Sequence, residues 1–157
     1  MTDPADARYR HLPFFEAYFS NFIEGTEFEV DQAVAIVYDG ANIPGRADDS
    51  HDLRGTYRVV SDLTEMQTLA RDADEFVQLL RARHATILAG RPDKNPGMFK
   101  ELANRAGDTA FVRPGLVDGT LRAGWSRLGE LGSPFERAVY TMFLVADVHP
   151  FDDGNGR

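Results

Sequence analysis

His149-Pro150-Phe151-Asp152-Asp153-Gly154-Asn155-Gly156-Arg157 is the stretch that decides the reading of this chain. A histidine fixed at a helix end can take up a proton near neutral pH. Pro150 stiffens the exit from the helix, and Phe151 can anchor the loop in a core. Two carboxylates follow, and Mg²⁺ favours one or two carboxylates completed by substrate phosphates and water. Gly-Asn-Gly permits left-handed backbone angles, so successive N–H groups can line a concavity that suits phosphate. Arg157 adds a fork of donors matched to phosphate oxygens. A lone Gly-x-Gly is more often a plain turn. Base, metal carboxylate, anion nest and arginine in one short run reverse that reading and point to chemistry on a nucleotide phosphate.

Working outward, the residues before His149 carry strong helix signals. Ser133 can cap, Pro134 suits the first helical position, and Glu136 completes a capping box. Phe135, Val139, Met142, Phe143 and Ala146 form one apolar stripe, and Tyr140, Leu144, Val145 and Val148 form another. A helix apolar nearly all round belongs at the centre of a core, so 133–148 is expected as the central helix. Pro150 biases His149 away from helical geometry and ends the helix near Val148.

Earlier segments read as mostly helical. Pro13 opens a helix whose stripe is Phe15, Tyr18, Phe19 and Phe22, widened by Phe14 and Ile23, and Gly25 closes it. A second helix is predicted over 29–38, with Val30, Val34 and Val37 on one face. Residues 39–56 hold three glycines, Pro44 and several aspartates and read as a long surface loop. Residues 57–60 suggest a short strand, and 63–70 and 73–88 suggest helices. Two extended pieces within 98–113 flank Asn104-Arg105-Ala106-Gly107 as a hairpin. Residues 117–131 suggest one more helix. The predicted fold is therefore mainly α, with one small β-hairpin.

Composition agrees and narrows the function classes. The 157 residues suit a single domain over 1–157; 43% are hydrophobic and 27% charged, as in ordinary soluble proteins. Seventeen basic against 25 acidic residues leave a net charge of −8, with a pI near 4.9. Such a chain has no general attraction for a nucleic-acid backbone or an anionic membrane. The absence of cysteine removes disulfides, zinc-thiolate sites and thiol nucleophiles. No apolar run approaches the roughly 20 residues that span a bilayer. The N-terminal MTDPADARYR lacks a secretory signal, so a cytoplasmic protein is expected.

The terminal nine residues resemble the signature of the Fic domain, H-x-F-x-(D/E)-G-N-G-R-x-x-R, at every specified position present. The segment NPGMFKELANRAGDTAFVRP and the helix over 133–148 also resemble the Fic core and its flap. This resemblance implies a Fic-type helical bundle with a hairpin flap over 97–114 and a signature loop over 149–157. It implies a protein adenylyltransferase that moves AMP from ATP to a Ser, Thr or Tyr hydroxyl of a target. His149 would be the base, Phe151 the structural anchor and Asp153 the Mg²⁺ ligand. Gly154, Asn155, Gly156 and Arg157 would bind the phosphates. Relatives that transfer other groups or remove AMP, and a noncatalytic nucleotide-binding module, are the alternatives. The signature runs three residues past Arg157, so the C-terminal part of the domain is expected to be missing, which leaves the activity of the chain alone open.

Ser20-Asn21-Phe22-Ile23-Glu24-Gly25 resembles the Fic inhibitory motif (S/T)-x-x-x-E-(G/N), on a helix over 10–25. Ser20 and Glu24 share one helical face, and Glu24 lies in the last turn, where the helix dipole disfavours an anion. The resemblance implies an autoinhibitory Glu24 supported by Ser20, with its usual arginine partner beyond Arg157. It also implies that the flap holds a target segment by main-chain pairing, this chain itself included among targets, and leaves a homo-oligomer open. His84 reads as a packed or surface histidine, His11 and His51 lack metal-ligand spacing, and Trp125 reads as core or groove lining. The pairs Asp48/Asp49 and Asp72/Asp74 read as solvated.

Overall fold

The computed structural model describes residues 9–157; most of the N-terminal stretch read for a secretory signal lies outside them. Seven α-helices and one antiparallel pair of strands are present among the described residues. They are α1 (Leu12–Ile23), α2 (Val30–Tyr38), α3 (Ala47–Ser61), α4 (Leu63–Gln67), α5 (Ala73–Ile87), β1 (Arg105–Ala106), β2 (Thr109–Ala110), α6 (Val117–Leu128) and α7 (Pro134–Val148). The mainly helical class with a small hairpin is as the sequence indicates. None of the helices is long and apolar enough to cross a membrane.

The chain divides into two compact units. One holds residues up to Thr68 with Thr86–Pro92 and Gly156–Arg157; the other holds Leu69–Ala85 and Asp93–Asn155. In the first unit α1 and α2 pack on α3. Phe14, Ala17, Phe28, Ala33, Ile36 and Leu53 form its core, and Val59, Ile87 and Leu88 a smaller cluster.

Here four expectations fail in whole or in part. The loop predicted over 39–56 and the strand predicted over 57–60 are largely one helix, α3. Its inner face is Ser50, Asp52, Leu53, Gly55, Thr56 and Val59. Small and polar residues hide the helical period on which the sequence reading relies. A methyl group at Gly55 would meet the main chain of Thr86 and Ile87, so glycine permits this close approach. On α1 the buried face is Phe14, Ala17 and Asn21, while Phe15, Phe19 and Phe22 are exposed. On α2 the buried residues are Ala33 and Ile36, with Val30 and Val34 exposed.

In the second unit α6 packs on α7. Phe76, Val77, Val117, Leu121, Leu144 and Val148 make its core, with Trp125 packed beside them and stacked on Phe76. The start of α7 is as predicted. Ser133 Oγ accepts the Glu136 N–H at 3.2 Å, and the Glu136 carboxylate accepts the Ser133 N–H at 2.8 Å. The expected burial of α7 is not found: only Leu144 and Val148 are buried, and Phe135, Val139, Met142 and Phe143 are exposed. The Leu144 stripe meets α6, while the Phe135 stripe faces outward.

The hairpin turn also shifts. Arg105 pairs with Ala110 and Ala106 with Thr109. The turn therefore lies at Gly107-Asp108, where Gly107 has the left-handed φ of +56° that glycine adopts without cost. Asn104, expected within the turn, precedes the strands.

Candidate functional site

The second unit carries most of the signature loop. His149 caps α7 in left-handed geometry, φ 51° and ψ 62°, donating its N–H to the Val145 carbonyl at 2.9 Å. A non-glycine residue held this way stores about 1–2 kcal/mol, so its surroundings must enforce it. They do so from both sides of the chain. The His149 ring lies flat on Phe111, with centroids 3.9 Å apart and planes 7° apart. Lys100, buried despite its charge, donates Nζ to the Val148 carbonyl at 3.2 Å and to Asn104 Oδ1 at 2.6 Å. Burial pushes the Lys100 ammonium below its ordinary pKa, against the pull of Asp152.

Phe151, which the sequence suggests as an anchor, lies in the interior of the second unit. It is buried, stacks on His84 at 3.7 Å and 5°, and tilts against Phe99 at 5.6 Å. His84 is packed, as read, and it also grips the loop. Its Nδ1 accepts the Gly97 N–H at 2.8 Å, which leaves the proton on Nε2 for the Asp153 carbonyl at 3.0 Å.

Asp153 is half-buried, and one carboxylate oxygen accepts the Gly154 N–H at 2.7 Å. Gly154 takes φ +69°, the left-handed angle expected of a nest. Asn155 works inside the loop: Oδ1 accepts the Phe151 N–H at 2.9 Å, and Nδ2 donates to the Phe151 carbonyl at 3.0 Å. Asp152, at the variable position, is exposed and accepts from Asn95 at 3.1 Å. Among the described residues no group of three or more His, Cys, Asp or Glu could by itself hold a metal ion.

The first unit carries the last two signature residues together with the inhibitory segment. The Glu24 carboxylate lies over Gly156, in the space that a Cβ on Gly156 would occupy. The Ser20 hydroxyl donates to the Ala17 carbonyl at 3.3 Å, a bond that serves α1 and not Glu24. The Arg157 guanidinium is almost fully buried. Its Nη1 lies 3.3 Å from the Asp52 carboxylate, and Nη2 donates to Thr26 Oγ1 at 3.3 Å. Asp52 is fully buried and also accepts from Arg91 Nε at 2.6 Å. Arg91 in turn reaches Asp49 at 2.6 Å, and Asp49 accepts from Arg46 at 2.9 Å. Asp49 is thus ion-paired and not simply solvated. Asp74 likewise pairs with Arg122, at 2.5 Å, and Asp72 caps α5 through the Glu75 N–H at 2.9 Å.

Sequence reasoning missed Asp52, Arg91 and Thr26 in this unit, and Lys100, Asn104 and Phe111 in the other. Asp52 was hidden inside the supposed loop. Asn104 resembled a turn residue, and its real signal was its distance of four residues from Lys100.

A mainly helical fold with a small hairpin and this histidine-and-glycine loop is that of the Fic proteins. The Fic/DOC family model matches residues 73–157, more than half of the chain, and the chain belongs to that family. It is 26% identical over 153 residues to the protein adenylyltransferase fic-1 of Caenorhabditis elegans, covering 94% of this chain and 30% of that protein. Its fold is similar to that of a Fic family protein from Desulfovibrio desulfuricans G20, with TM-score 0.74, 19% identity, and coverage of 96% of this chain and 46% of that one. It is similar also to Fic-1 residues 134–508 from C. elegans, with TM-score 0.71, 21% identity, and coverage of 99% and 48%. The chain spans 30% of the length of this curated relative and a little under half of each solved chain.

Proposed function

We propose that this chain carries the site of a protein adenylyltransferase, which moves AMP from ATP to a hydroxyl of a target protein. The observation that carries this reading is the signature loop itself. His149 stands at the capped end of a helix, with its ring held flat by Phe111, four residues before a half-buried carboxylate and five before a left-handed glycine.

His149 accepts the proton of the target hydroxyl as its oxygen bonds to the α-phosphorus of ATP. The bond from that phosphorus to the bridging oxygen breaks, and pyrophosphate leaves. Gly154 and Gly156 let the main chain approach the phosphates without side chains in the way. Asp153 fits Mg²⁺ as a single hard oxygen donor, since such an ion takes the rest of its shell from phosphates and water. Mg²⁺ would supply charge neutralisation on the phosphates. The exposed hairpin offers main-chain groups to an extended target segment.

The Arg157 guanidinium lies beside Asp52 and Thr26, while its Nε and Nη1 make no hydrogen bond and keep donors for the phosphate-binding role that the family resemblance implies. Glu24 supports the autoinhibitory reading: a carboxylate over Gly156 competes by space and charge with a phosphate sitting there.

The test is transfer of label from α-labelled ATP to protein, with the product weighed by mass spectrometry. An added AMP that disappears in His149→Ala is the expected result. A different added mass, or transfer that survives the substitution, overturns the reading.

A further inference from the structure

The last four carbonyls of an α-helix have no partner within the helix and need donors from elsewhere. At the end of α7 the carbonyl of Val148, the last helical residue, and those of the three residues that follow it, 149–151, all meet donors from one short segment. Lys100 Nζ donates to Val148 O at 3.2 Å, and the Lys100 N–H donates to Pro150 O at 2.9 Å. Asn104 Nδ2 lies 3.5 Å from His149 O and donates to Phe151 O at 3.2 Å. The two side chains are tied to each other through Lys100 Nζ and Asn104 Oδ1 at 2.6 Å. The Phe111 N–H then donates to the Asn104 carbonyl at 3.3 Å, which connects the ring under His149 to the same segment.

We propose that Lys100 and Asn104 are positioning residues for His149: together they hold the main chain on both sides of it, so that its ring stays on Phe111 and faces the reacting hydroxyl. This rests on the reading of His149 as the base. A buried ammonium is costly without partners, and a cation is favoured at a helix C-terminus, so a lysine at this place serves the helix end and the loop beyond it. A carboxamide can accept from Lys100 and still donate to two carbonyls, which a carboxylate cannot do at all and a hydroxyl, with one hydrogen, cannot do twice. In Asn104→Asp the acceptor stays and the donor is lost. In Lys100→Met the stem stays and the ammonium is lost.

Both variants are examined in the full chain by nuclear magnetic resonance of its four histidines and by AMP-transfer kinetics. The His149 ring protons, shifted upfield over the Phe111 face, should return toward free-histidine values in either variant, while the His84 protons over Phe151 stay in place. Phe111→Leu, which leaves Lys100 and Asn104 intact, calibrates the ring-current shift. kcat should fall ten- to a hundredfold, roughly 1.4–2.7 kcal/mol of barrier, with KM for ATP within twofold. Unmoved His149 resonances overturn the proposal, as does simultaneous loss of the His84 shift, the mark of general loosening. If His149→Ala abolishes transfer while both variants keep full kcat, this proposal alone falls. If His149→Ala leaves transfer intact, the base assignment falls, and the resonances still judge the positioning.

Discussion

Two glycines of α6 should respond to the same substitution with opposite sign. Gly119 has nothing within 4 Å of where a Cβ would stand, whereas a Cβ at Gly124 would meet Leu144 Cδ1 and Cδ2 at 2.5 Å and Cγ at 3.0 Å. Replacing glycine by alanine inside a helix gains up to about 1 kcal/mol. Gly119 sits in the first turn, so about 0.5 kcal/mol is a fair expectation there. At Gly124 the gain is opposed by overpacking, which costs about 1–3 kcal/mol. Leu144 is itself buried among Phe76, Val77, Val117, Leu121 and Val148 and has little room to yield. The upper half of that range applies, for a net loss of about 1–2 kcal/mol. With an unfolding entropy of about 2.1 cal/mol/K per residue, 1 kcal/mol corresponds to about 3 °C in a chain of this size. Gly119→Ala should raise Tm by about 1–2 °C, and Gly124→Ala should lower it by about 3–6 °C. Thermal unfolding followed by far-ultraviolet circular dichroism reads both. If Gly124→Ala proves as stable as Gly119→Ala, α6 and α7 do not approach through that glycine, and the packing that holds the helix beneath His149 has been misread.

Other sites give shorter tests. Glu24→Gly should raise AMP transfer, since it clears the space over Gly156; an unchanged rate of labelling removes the brake. Asp153→Ala should raise the Mg²⁺ concentration needed for half-maximal transfer, and an unchanged magnesium titration takes the metal role from this carboxylate. Asp52→Ala leaves the buried Arg157 guanidinium and the half-buried one of Arg91 short of a partner and should cost about 3 kcal/mol; because Arg91 keeps Asp49, this is the low end for a broken buried pair. A loss under 1 kcal/mol in urea unfolding speaks against the network. Ser133→Ala removes the cap of α7 and should cost about 1 kcal/mol by the same assay, and a neutral result shows that the cap contributes nothing.

Legibility followed the kind of signal each segment carries. The start of α7 was readable because capping is local: Ser133, Pro134 and Glu136 act on main-chain groups within four residues. The signature loop was readable because its chemistry is contiguous. The helix α3 was not, because Asp52, Gly55 and Thr56 face inward and mimic the composition of a loop. Its burial is justified by Arg91, Arg157 and the backbone at Ile87, all far away in sequence. The aromatic side of α1 misled for the opposite reason. Phe15, Phe19 and Phe22 look like a core stripe, yet the helix buries Ala17 and Asn21, whose small size and amide suit close contact with Thr56. The partners of His149 were equally distant: Lys100, Asn104 and Phe111 lie 38 or more positions before it, and nothing local in a sequence encodes that pairing.

The double bond pair of Asn155 bears on how the loop ages. Asparagine followed by glycine is the dipeptide in which the side-chain carbonyl carbon is most readily attacked by the next main-chain nitrogen, giving a cyclic imide and then aspartate or its β-linked isomer. Forming that ring requires the Asn155 carboxamide to rotate away from Phe151 and give up both of its bonds. The folded loop thus protects its own covalent structure. Each excursion to an open loop is an opportunity for irreversible chemical damage at the centre of the signature.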